Sequence, residues 1–249
     1  MTAIYTFEEL KTDVAEGRID TVLACQVDMQ GRLMGKRFVA RHFVDSAWEE
    51  THCCNYLLAV DVEMYTVPGY KSAGWEKGYG DYTLKPDLAT LRRIPWLEGT
   101  ALCMADLLDH HTHEEVAVSP RAILKRQIAR ASAMGFDAMM ATELEFYLFQ
   151  DRYEAIHDSN YQTLQPLGRH NIDYSIFGTT KEESVMRAIR NGLWDAGIPI
   201  ENSKGEAGLG QHELNLRYAE ALRMADNHTV YKNGAKEIAA LAGRALTFM

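Results

Sequence analysis

The sequence predicts an α+β fold for a chain of 249 residues, of which 47% are hydrophobic and can form a sizeable core. Strand patterns dominate the first hundred or so residues, and helices with clear start and stop signals follow them. The polar stretch from His110 to Glu115 separates these two differently patterned halves. We therefore expect a small β-grasp-like domain over residues 1–112 and a second domain over residues 113–249.

The N-terminal unit begins with a predicted helix that Thr6 caps and Gly17 ends. Two strands are predicted next, from Ile19 to Asp28 and from Arg32 to Ala40, with a tight turn between them. Gly99 to Leu108 reads as a further strand, since its central residues form a short apolar run.

Two stretches of the N-terminal half are predicted to be loops. Residues 67–86 are rich in glycine and tyrosine, which favours an ordered loop over a regular element. His110, His111 and His113 are dense enough to suggest a metal site, but they stand in a charged hairpin without partners. We expect them to lie in a solvated loop.

The second half opens with a well-marked helix, in which Ser119 is the cap and Pro120 the first residue. Gly135 is expected to end it, and Met134, Met139 and Met140 are expected to belong to the core. The predicted apolar stripe of this helix consists of Ile123, Leu124, Ile128 and Ala131.

A later helix carries the pattern of a capping box, with Thr180 three residues before Glu183. It is expected to end at Gly197, and residues 219–242 form another helix-forming stretch. The apolar stripe of the first of these helices consists of Val185, Ile189 and Leu193.

Charge and composition exclude several classes of protein. The formal net charge is -9 and no basic stretch occurs, which argues against nucleic acid or an anionic membrane surface as a partner. No apolar run approaches a membrane span, and the first eight residues do not resemble a signal peptide. The four cysteines have no C-x-x-C spacing, so we expect reduced, mostly buried thiols in a cytoplasmic protein.

Glu143 and Glu145 are the first half of the most informative feature of the chain. They lie within an apolar strand pattern over residues 139–149, and side chains two apart share one face of a strand. Burying an unpaired carboxylate costs several kcal/mol, so a positive partner is expected. A divalent cation is one such partner. Alternatively, the two glutamates line a solvent-exposed face of the sheet or pair with arginine and lysine side chains.

Glu206 and Glu213 are the second half of this feature, in the segment EAGLGQHE. Residues seven apart on an uninterrupted strand face opposite sides, so the glycines between them would let the two carboxylates converge. Three or four carboxylates without a thiolate favour the hard cations Mg²⁺ or Mn²⁺ over zinc or copper. The pattern therefore indicates an enzyme.

These motifs resemble those of the glutamine synthetase family. The resemblance rests on TELEF at residues 142–146, Glu206, GQHE at residues 210–213, SPR at residues 119–121 and the ending TFM at residues 247–249. They occur in the family's order and span almost the whole chain. The segment YTVP at residues 65–68 and the aromatic loop after it resemble the subfamily that joins glutamate to organic amines.

The resemblance implies a metal site with two or more Mg²⁺ or Mn²⁺ ions. Glu145, Glu206 and Glu213 match the three carboxylates of one metal, and Glu143 matches a ligand of the second. The family fold implied for this half of the chain is the first part of a glutamine synthetase-type antiparallel-sheet catalytic domain.

The resemblance also implies roles for residues outside the metal set. Glu201 matches a residue near the nucleotide phosphates, and Tyr218 an aromatic contact to the nucleotide. Asp28 matches an aspartate that crosses a subunit interface and helps bind and deprotonate the incoming amine. An ordinary turn aspartate is the other reading of Asp28, because Asp-x-x-Gly is a common turn sequence.

The activity implied is ATP-dependent ligation of the γ-carboxyl group of L-glutamate to ammonia or an organic amine through γ-glutamyl phosphate. A nearby carboxylate would take the surplus proton of the amine. Complete members are expected to be ring-shaped homo-oligomers with active sites between neighbouring subunits. Neither nucleic acid nor a membrane is expected as a partner.

The chain departs from the family pattern in two ways. It stops at Met249, where the family continues into further metal ligands and substrate-binding arginines, so we expect an incomplete piece with doubtful activity of its own. Residues 171–177, with the sequence NIDYSIF, replace a run typical of ammonia-using members. This changed wall favours a bulkier amine.

Two alternatives remain open at this point. The chain could be a catalytically inactive glutamine synthetase-like scaffold or regulatory fragment, which the missing C-terminal part favours. It could also be a hydrolase that uses paired carboxylates as acid and base, without ATP or a metal. Dependence on Mg²⁺ or Mn²⁺ separates the ligase from the hydrolase.

Overall fold

The structure is a computed structural model, and it describes residues 5–248 apart from the side chain of Lys77. Met249, the last residue of the TFM ending, therefore lies outside the described residues. The chain forms two compact units, Met1–Ala138 and Met139–Met249. The domain boundary expected at residues 112 and 113 stays a prediction, because it concerns the pattern of the sequence rather than contact density.

The first unit contains a helix at each end of its sequence and strands between them. Short helical turns at Asn55–Leu58, Trp75–Lys77 and Leu88–Thr90 connect the strands. The elements are α1 (Phe7–Ala15), β1 (Thr21–Val27), β2 (Leu33–Val39), α2 (Ala40–His42) continued by a π-helical turn (Phe43–Ala47), β3 (Thr51–Cys54), β4 (Asp81–Pro86), β5 (Arg92–Arg93), β6 (Thr100–Asp109) and α3 (Pro120–Ala133).

The sheet of this unit has the strand order β2-β1-β6-β4-β3, and β5 pairs with β6. The β1–β6 pair is parallel, and the other pairs are antiparallel. Its main core packs around side chains such as Leu10, Phe43 and Leu84. The helix predicted after Thr6 is confirmed, including a capping box with Glu9, and so are the predicted strands β1, β2 and β6.

The prediction of a loop throughout residues 67–86 is wrong for its last part. Asp81–Pro86 forms β4, which lies between β3 and β6 in the sheet. Tyr82, Thr83 and Leu84 are buried there. The short run Tyr-Thr-Leu has high strand propensity, and its neighbours in the sheet outweigh the glycine-rich composition before it.

The core prediction for α3 and the methionines is also wrong. Ile123 is exposed, and Met134, Met139 and Met140 are between 49% and 67% exposed. The residues that α3 buries are Arg121 and Ala122, because the Arg121 guanidinium is held by Asp87 and Asp106. An ion-pair anchor, not the apolar stripe, therefore fixes this helix within its unit.

The second unit is built around a sheet with the strand order β12-β8-β10-β9, all pairs being antiparallel. A separate short ribbon pairs β7 with β11. The elements are β7 (Met139–Met140), β8 (Glu143–Phe149), α4 (Tyr153–Asp158), α5 (Ile176–Thr180), α6 (Glu183–Asp195), β9 (Ile200–Gly205), β10 (Gln211–Leu216), β11 (Ala219–Glu220), α7 (Ala221–Leu241) and β12 (Ala245–Thr247).

One face of this sheet is apolar and carries the core of the unit. Leu144, Phe146 and Leu214 are buried on it, and the Tyr231 hydroxyl of α7 donates a 3.4 Å hydrogen bond to the Leu144 carbonyl. The helix α6 buries the predicted stripe Val185, Ile189 and Leu193. The predicted α+β fold is confirmed.

The capping box predicted for α6 is wrong. Thr180 ends the short helix α5 instead, and its hydroxyl donates to the Ile176 carbonyl at 2.8 Å. Glu182 occupies the cap position of α6, and the Glu183 carboxylate pairs with Arg190. A second helix directly before α6 therefore uses the threonine that the sequence pattern assigned to the cap.

The four cysteines are free thiols, three of them buried. Burial raises the pKa of the Cys53 thiol to about 11. Among residues 5–248, no helix combines the length and the apolar character that a membrane crossing requires.

Candidate metal centre

Glu143 and Glu145 project from the polar face of the sheet in the second unit. Burial alternates along β8: Leu144 and Phe146 are buried, while Glu143 is exposed and Glu145 half-buried. Because successive side chains of a strand point to opposite faces, both carboxylates share the face opposite the core. The period-two pattern of the sequence predicted this arrangement.

The strand register brings a third carboxylate beside them. Glu213 of β10 lies directly opposite Glu145 of β8, and Asn215 lies opposite Glu143. Oxygen atoms of Glu143, Glu145 and Glu213 all lie within 4.8 Å of one another. Cross-strand neighbours on one face have Cβ atoms about 4.5–5.5 Å apart, so the pairing itself produces this convergence.

Glu206 approaches Glu213 by way of a hairpin, although it stands outside the three carboxylates that lie within 4.8 Å of one another. It follows the last residue of β9, its amide donates to the Gln211 carbonyl at 3.0 Å, and the chain returns as β10. Gly210 has a φ of +73°, which glycine adopts without strain. The Glu206 and Glu213 carboxyl groups lie within hydrogen-bonding reach of each other, so the hairpin brings together residues seven apart.

Lys204 places a positive charge next to these carboxylates. It lies opposite Glu213 in the β9–β10 pairing, and its ammonium group contacts the Glu206 carboxylate. Its Nζ atom is 3.5 Å from Glu213 Oε2 and 3.6 Å from Asp173 Oδ1. The Tyr174 ring centroid is 4.5 Å from the Lys204 Nζ atom.

The carboxyl groups of the cluster differ in their pKa. Burial raises the pKa of Glu213, and its hydrogen bond with Glu206 adds to this effect. The hydrogen bond from Lys204 lowers the pKa of Glu206, although burial acts in the opposite direction. The same contact with Glu206 raises the pKa of Lys204. The Lys204 ammonium group thus stabilises the ionised form of Glu206 more than that of Glu213.

Gln211 orients the cluster from two residues before Glu213, on the same face of β10. Its side-chain amide donates to a Glu145 oxygen, and its Oε1 atom accepts from the Gly208 amide at 2.9 Å. The Tyr147 hydroxyl lies 3.2 Å from that Oε1 atom. A partner that holds a ligating carboxylate in this way is typical of metal sites.

His212 has its side chain in the core, not in the cluster. It lies between Gln211 and Glu213 on the strand, so its ring is buried on the apolar face. Its Nε2 atom contacts the Glu182 carboxylate, which is also buried. The pair joins β10 to the beginning of α6 and thereby helps to fix the strand that carries Glu213.

Residues 171–177 form a wall beside the cluster. The Tyr174 amide donates to the Gly205 carbonyl at 3.4 Å, and a Cβ atom added at Gly205 would lie 2.4 Å from the Ile172 carbonyl oxygen. Close contact between the wall and the end of β9 therefore requires glycine there. Part of this wall and α5 line a cavity of about 360 Å³.

Asp28 belongs to the first unit, and its carboxylate is buried within its own turn. Its oxygens accept hydrogen bonds from the Gln30 amide at 2.9 Å, the Arg32 amide at 2.8 Å and the Arg32 guanidinium at 2.6 Å. These contacts are those of a turn aspartate. The expected role of Asp28 toward an amine stays a prediction.

Glu201 and Tyr218 are both exposed. Glu201 lies near the start of β9, and Tyr218 lies just beyond the end of β10. The register between β9 and β10 shifts at Leu216, so Glu201 stands at a β-bulge. Tyr218 is 61% exposed just after β10. Their expected nucleotide contacts stay predictions. His110, His111 and His113 are exposed, as expected for a solvated loop.

The sequence predicts Asp173 and Tyr174 only as part of the wall at residues 171–177, and it predicts no individual role for Lys204 or the Gln211 side chain. A usable signal existed for one of them: Asn202 and Lys204 alternate on β9 as Glu143 and Glu145 do on β8. Asp173 and Tyr174 precede a short helix and carry no strand periodicity, so only the folded chain shows where they lie.

The donor set fits a divalent magnesium or manganese ion. It consists of carboxylate oxygens without thiolate, and one of its members, Glu213, is only 5% exposed. A desolvated carboxyl group with a raised pKa gains from a nearby cation. Among residues 5–248, no guanidinium group pairs with these carboxylates, and Lys204 supplies a single charge.

Comparison with known proteins shows the family that the chain resembles. The family model described as the glutamine synthetase catalytic domain matches residues 117–249. The gamma-glutamylethanolamide synthetase GlnA4 of Streptomyces coelicolor is 52% identical over 243 residues, which cover 97% of this chain and 52% of that protein. The glutamate–isopropylamine ligase of a Pseudomonas species is 36% identical, over 95% of this chain and 51% of that protein.

A solved structure described as a GmaS/ADP complex shares the fold, with a TM-score of 0.78 at 24% identity. The match covers 96% of this chain and 51% of that one. The chain thus spans about half the length of the curated relatives it matches. Because the catalytic-domain model matches more than half of its residues, the chain belongs to the glutamine synthetase family.

Proposed function

We propose that this chain carries the carboxylate metal site of an ATP-dependent ligase. The ligase joins the γ-carboxyl group of L-glutamate to an organic amine through γ-glutamyl phosphate. The observation that supports this most is the convergence of Glu143, Glu145 and Glu213 within 4.8 Å on one sheet face. The family and the names of two relatives, a glutamylethanolamide synthetase and a glutamate–isopropylamine ligase, support the reaction class.

The metal ligands in this proposal are Glu143, Glu145, Glu206 and Glu213. Bound Mg²⁺ or Mn²⁺ would supply positive charge to the phosphate groups of ATP. Gln211 holds the Glu145 carboxylate in place, and the buried pair of His212 with Glu182 anchors the neighbouring position. These contacts reduce the reorganisation that metal binding requires.

Glu206 is also assigned a catalytic role, because it combines a lowered pKa with a position at the edge of the cluster. An ionised carboxylate there can accept a hydrogen bond from an amine and stabilise its positive charge. Asp28 remains the proposed proton acceptor. Its carboxylate would first exchange the Arg32 guanidinium for the substrate.

Glu201 and Tyr218 are the proposed nucleotide contacts, since both are exposed on the unit that carries the cluster. The proposal further includes a cytoplasmic homo-oligomer whose active sites lie between subunits. Family membership supports the oligomer.

An organic amine is favoured over ammonia as the second substrate. The wall at residues 171–177 places the Tyr174 ring and the Asp173 carboxylate around an ammonium group, that of Lys204. An aromatic ring face together with a carboxylate is suited to an alkylammonium group. One relative is named for a glutamylethanolamide product and another for an isopropylamine substrate, and both names agree with this preference.

The alternative is a catalytically inactive scaffold or regulatory fragment. The observation in its favour is that the chain spans about half the length of its relatives. It predicts a folded protein without ATP turnover.

The test uses a chimera in which this chain replaces the matching half of the Streptomyces relative. Phosphate release is measured with ATP, glutamate, Mg²⁺ and a panel of ammonia, ethanolamine, isopropylamine and a polyamine. We expect release that requires glutamate, an amine and the metal, and its loss in Glu145→Gln but not in the exposed Glu154→Gln. A folded chimera without release would contradict the ligase and support the scaffold.

A further inference from the structure

Strand pairing places Lys204 in the same cross-strand row as two of the carboxylates. In the strand pairing, Lys204 of β9 lies opposite Glu213 of β10, which in turn lies opposite Glu145 of β8. Directly opposed residues share a face of the sheet. The strand pairing therefore fixes the position of the Lys204 backbone next to the cluster.

The contacts of the Lys204 ammonium group are those of a bound cation. It contacts the Glu206 carboxylate, lies 3.5 Å from Glu213 Oε2 and 3.6 Å from Asp173 Oδ1, and donates to the Gly205 carbonyl at 3.5 Å. The Tyr174 ring adds a cation–π contact at 4.5 Å. The lysine side chain is 20% exposed. Negative and π-rich groups thus surround the single charge.

Two of these partners, Glu206 and Glu213, are also proposed metal ligands. A carboxylate that donates a lone pair to a divalent cation is less available to an ammonium group, and two cations close together repel each other. The lysine head group sits on a flexible four-carbon stem, so it can leave without movement of the strand. The ammonium group and the metal therefore compete for the carboxylates of Glu206 and Glu213.

We propose that Lys204 is a tethered counter-ion that competes with the divalent cation for Glu206 and Glu213. In the metal-free protein it neutralises part of the cluster and holds the two carboxylates together. On metal binding its ammonium group leaves them for solvent or for Asp173 and Tyr174. The inference rests on the proposed metal site and adds a residue that sets its affinity.

A consequence is that weakly bound cations are kept out of the site. The ammonium group already supplies one positive charge at no cost in translational entropy, so a monovalent cation gains little by replacing it. A divalent ion brings twice the charge and more coordination positions. Displacing the ammonium group costs each cation the same free energy, so Lys204 lowers the affinity of the site for all of them and only an ion with strong carboxylate contacts overcomes it.

The test is a titration with Mn²⁺ followed by electron paramagnetic resonance, on the wild-type protein and three variants. Lys204→Met removes the charge at similar length, Lys204→Arg keeps it, and Lys181→Met removes an exposed lysine of the same unit. We expect Lys204→Met to bind Mn²⁺ about tenfold more tightly, because loss of one nearby positive charge favours the dication by roughly that factor. The other two variants should bind as the wild type does.

Unchanged or weaker Mn²⁺ binding by Lys204→Met, with the wild type binding normally, would overturn the inference and leave the metal site intact. Absence of Mn²⁺ binding in both the wild type and Lys204→Met would overturn the metal site and the inference together. The two failures are therefore distinguishable.

A second measurement uses the wild-type protein and does not depend on the folding of a variant. Acetylation of lysines by a brief pulse of acetic anhydride is followed by mass spectrometry with and without Mn²⁺. We expect Mn²⁺ to raise the labelling of Lys204 several-fold while Lys181 is unchanged. Equal or lower labelling of Lys204 in the presence of bound Mn²⁺ would contradict its displacement.

Discussion

The carboxylates Asp13 and Asp28 of the first unit are more fully neutralised by their own chain than the carboxylate cluster of the second unit. In the first unit, Asp13 accepts a 2.6 Å hydrogen bond from the Tyr5 hydroxyl and pairs with Arg18 and Arg93. Asp28 pairs in the same manner with Arg32. In the second unit, Lys204 is the one basic side chain among residues 5–248 that pairs with the carboxylate cluster, and it contacts only Glu206 and Glu213 of the four glutamates.

This difference distinguishes carboxylates that stabilise the fold from carboxylates that are suited to bind an external cation. A carboxylate neutralised by its own chain gains stability from folding, since its partners repay the loss of hydration. A cluster with too few cations loses stability in the empty protein and recovers it when an external cation binds. The incomplete neutralisation of the cluster therefore supports a cation site in the second unit.

Arg121→Met gives the largest expected effect, because it breaks internal neutralisation in the first unit. The Arg121 side chain is 4% exposed and binds Asp87 at 2.6 Å and Asp106 at 2.5 Å. Removing one partner of a buried ion pair leaves the others uncompensated, so we expect a loss of about 3–5 kcal/mol in the free energy of unfolding. Urea denaturation measures it.

Arg130→Met is the matched control, since Arg130 lies on the same helix and is exposed. We expect a change within about 0.5 kcal/mol for this surface substitution. Equal losses in the two variants would mean that helix propensity, rather than the buried ion pair, explains the effect.

Gly205→Ala has the next largest expected effect and concerns the wall of the cluster. The added Cβ atom would lie 2.4 Å from the Ile172 carbonyl oxygen, so residues 171–177 must move. Overpacking of this kind costs about 1–3 kcal/mol. Hydrogen exchange of the 171–177 segment should rise in this variant.

Gly80→Ala is its control, because the nearest atom to the added Cβ there, Asn55 Nδ2, is 3.5 Å away. Unaltered exchange of residues 171–177 in Gly205→Ala would show that the wall does not depend on close contact with β9.

The sequence predicted those parts of the site that depend on local periodicity. Alternation in β8 placed Glu143 and Glu145 on one face, and the glycines between Glu206 and Glu213 allowed their convergence. The α+β class and the strands β1, β2 and β6 followed from turns and apolar runs in the same way. Each of these inferences uses interactions within a few residues.

Two of the predictions that failed depend on distant partners. β4 becomes a strand because β3 and β6 pair with it, and α3 is anchored by Arg121 through aspartates far away in the sequence. Lys204 joins the cluster through pairing with β10. No pattern along one segment specifies such pairings, so these features emerge only from the assembled unit.

The pH dependence of stability should differ in sign between Asp13 of the first unit and Glu213 of the second. Burial raises the pKa of Asp13, but hydrogen bonds from Tyr5, Arg18 and Arg93 outweigh it, so its pKa in the folded state is lowered. Its contribution is complete above the unfolded pKa of about 3.9 and is lost as the pH falls through the folded pKa.

The folded pKa of Glu213 is raised, chiefly by burial. Its contribution is therefore present below the unfolded pKa of about 4.3 and is lost as the pH rises through the folded pKa. At pH 7, Asp13 should stabilise its unit while Glu213 destabilises the metal-free second unit.

The most direct test compares the same chemical change in both regions, Asp13→Asn and Glu213→Gln, at pH 7 with a chelator present. Urea unfolding followed by hydrogen-exchange mass spectrometry reports the two units separately. We expect Asp13→Asn to lower the free energy of unfolding of the first unit by about 2 kcal/mol. Glu213→Gln should leave that of the second unit unchanged or raise it by up to about 1 kcal/mol. A loss of stability in Glu213→Gln as large as that in Asp13→Asn would contradict the account, because the cluster would then be a structural network and not a site built for an external cation.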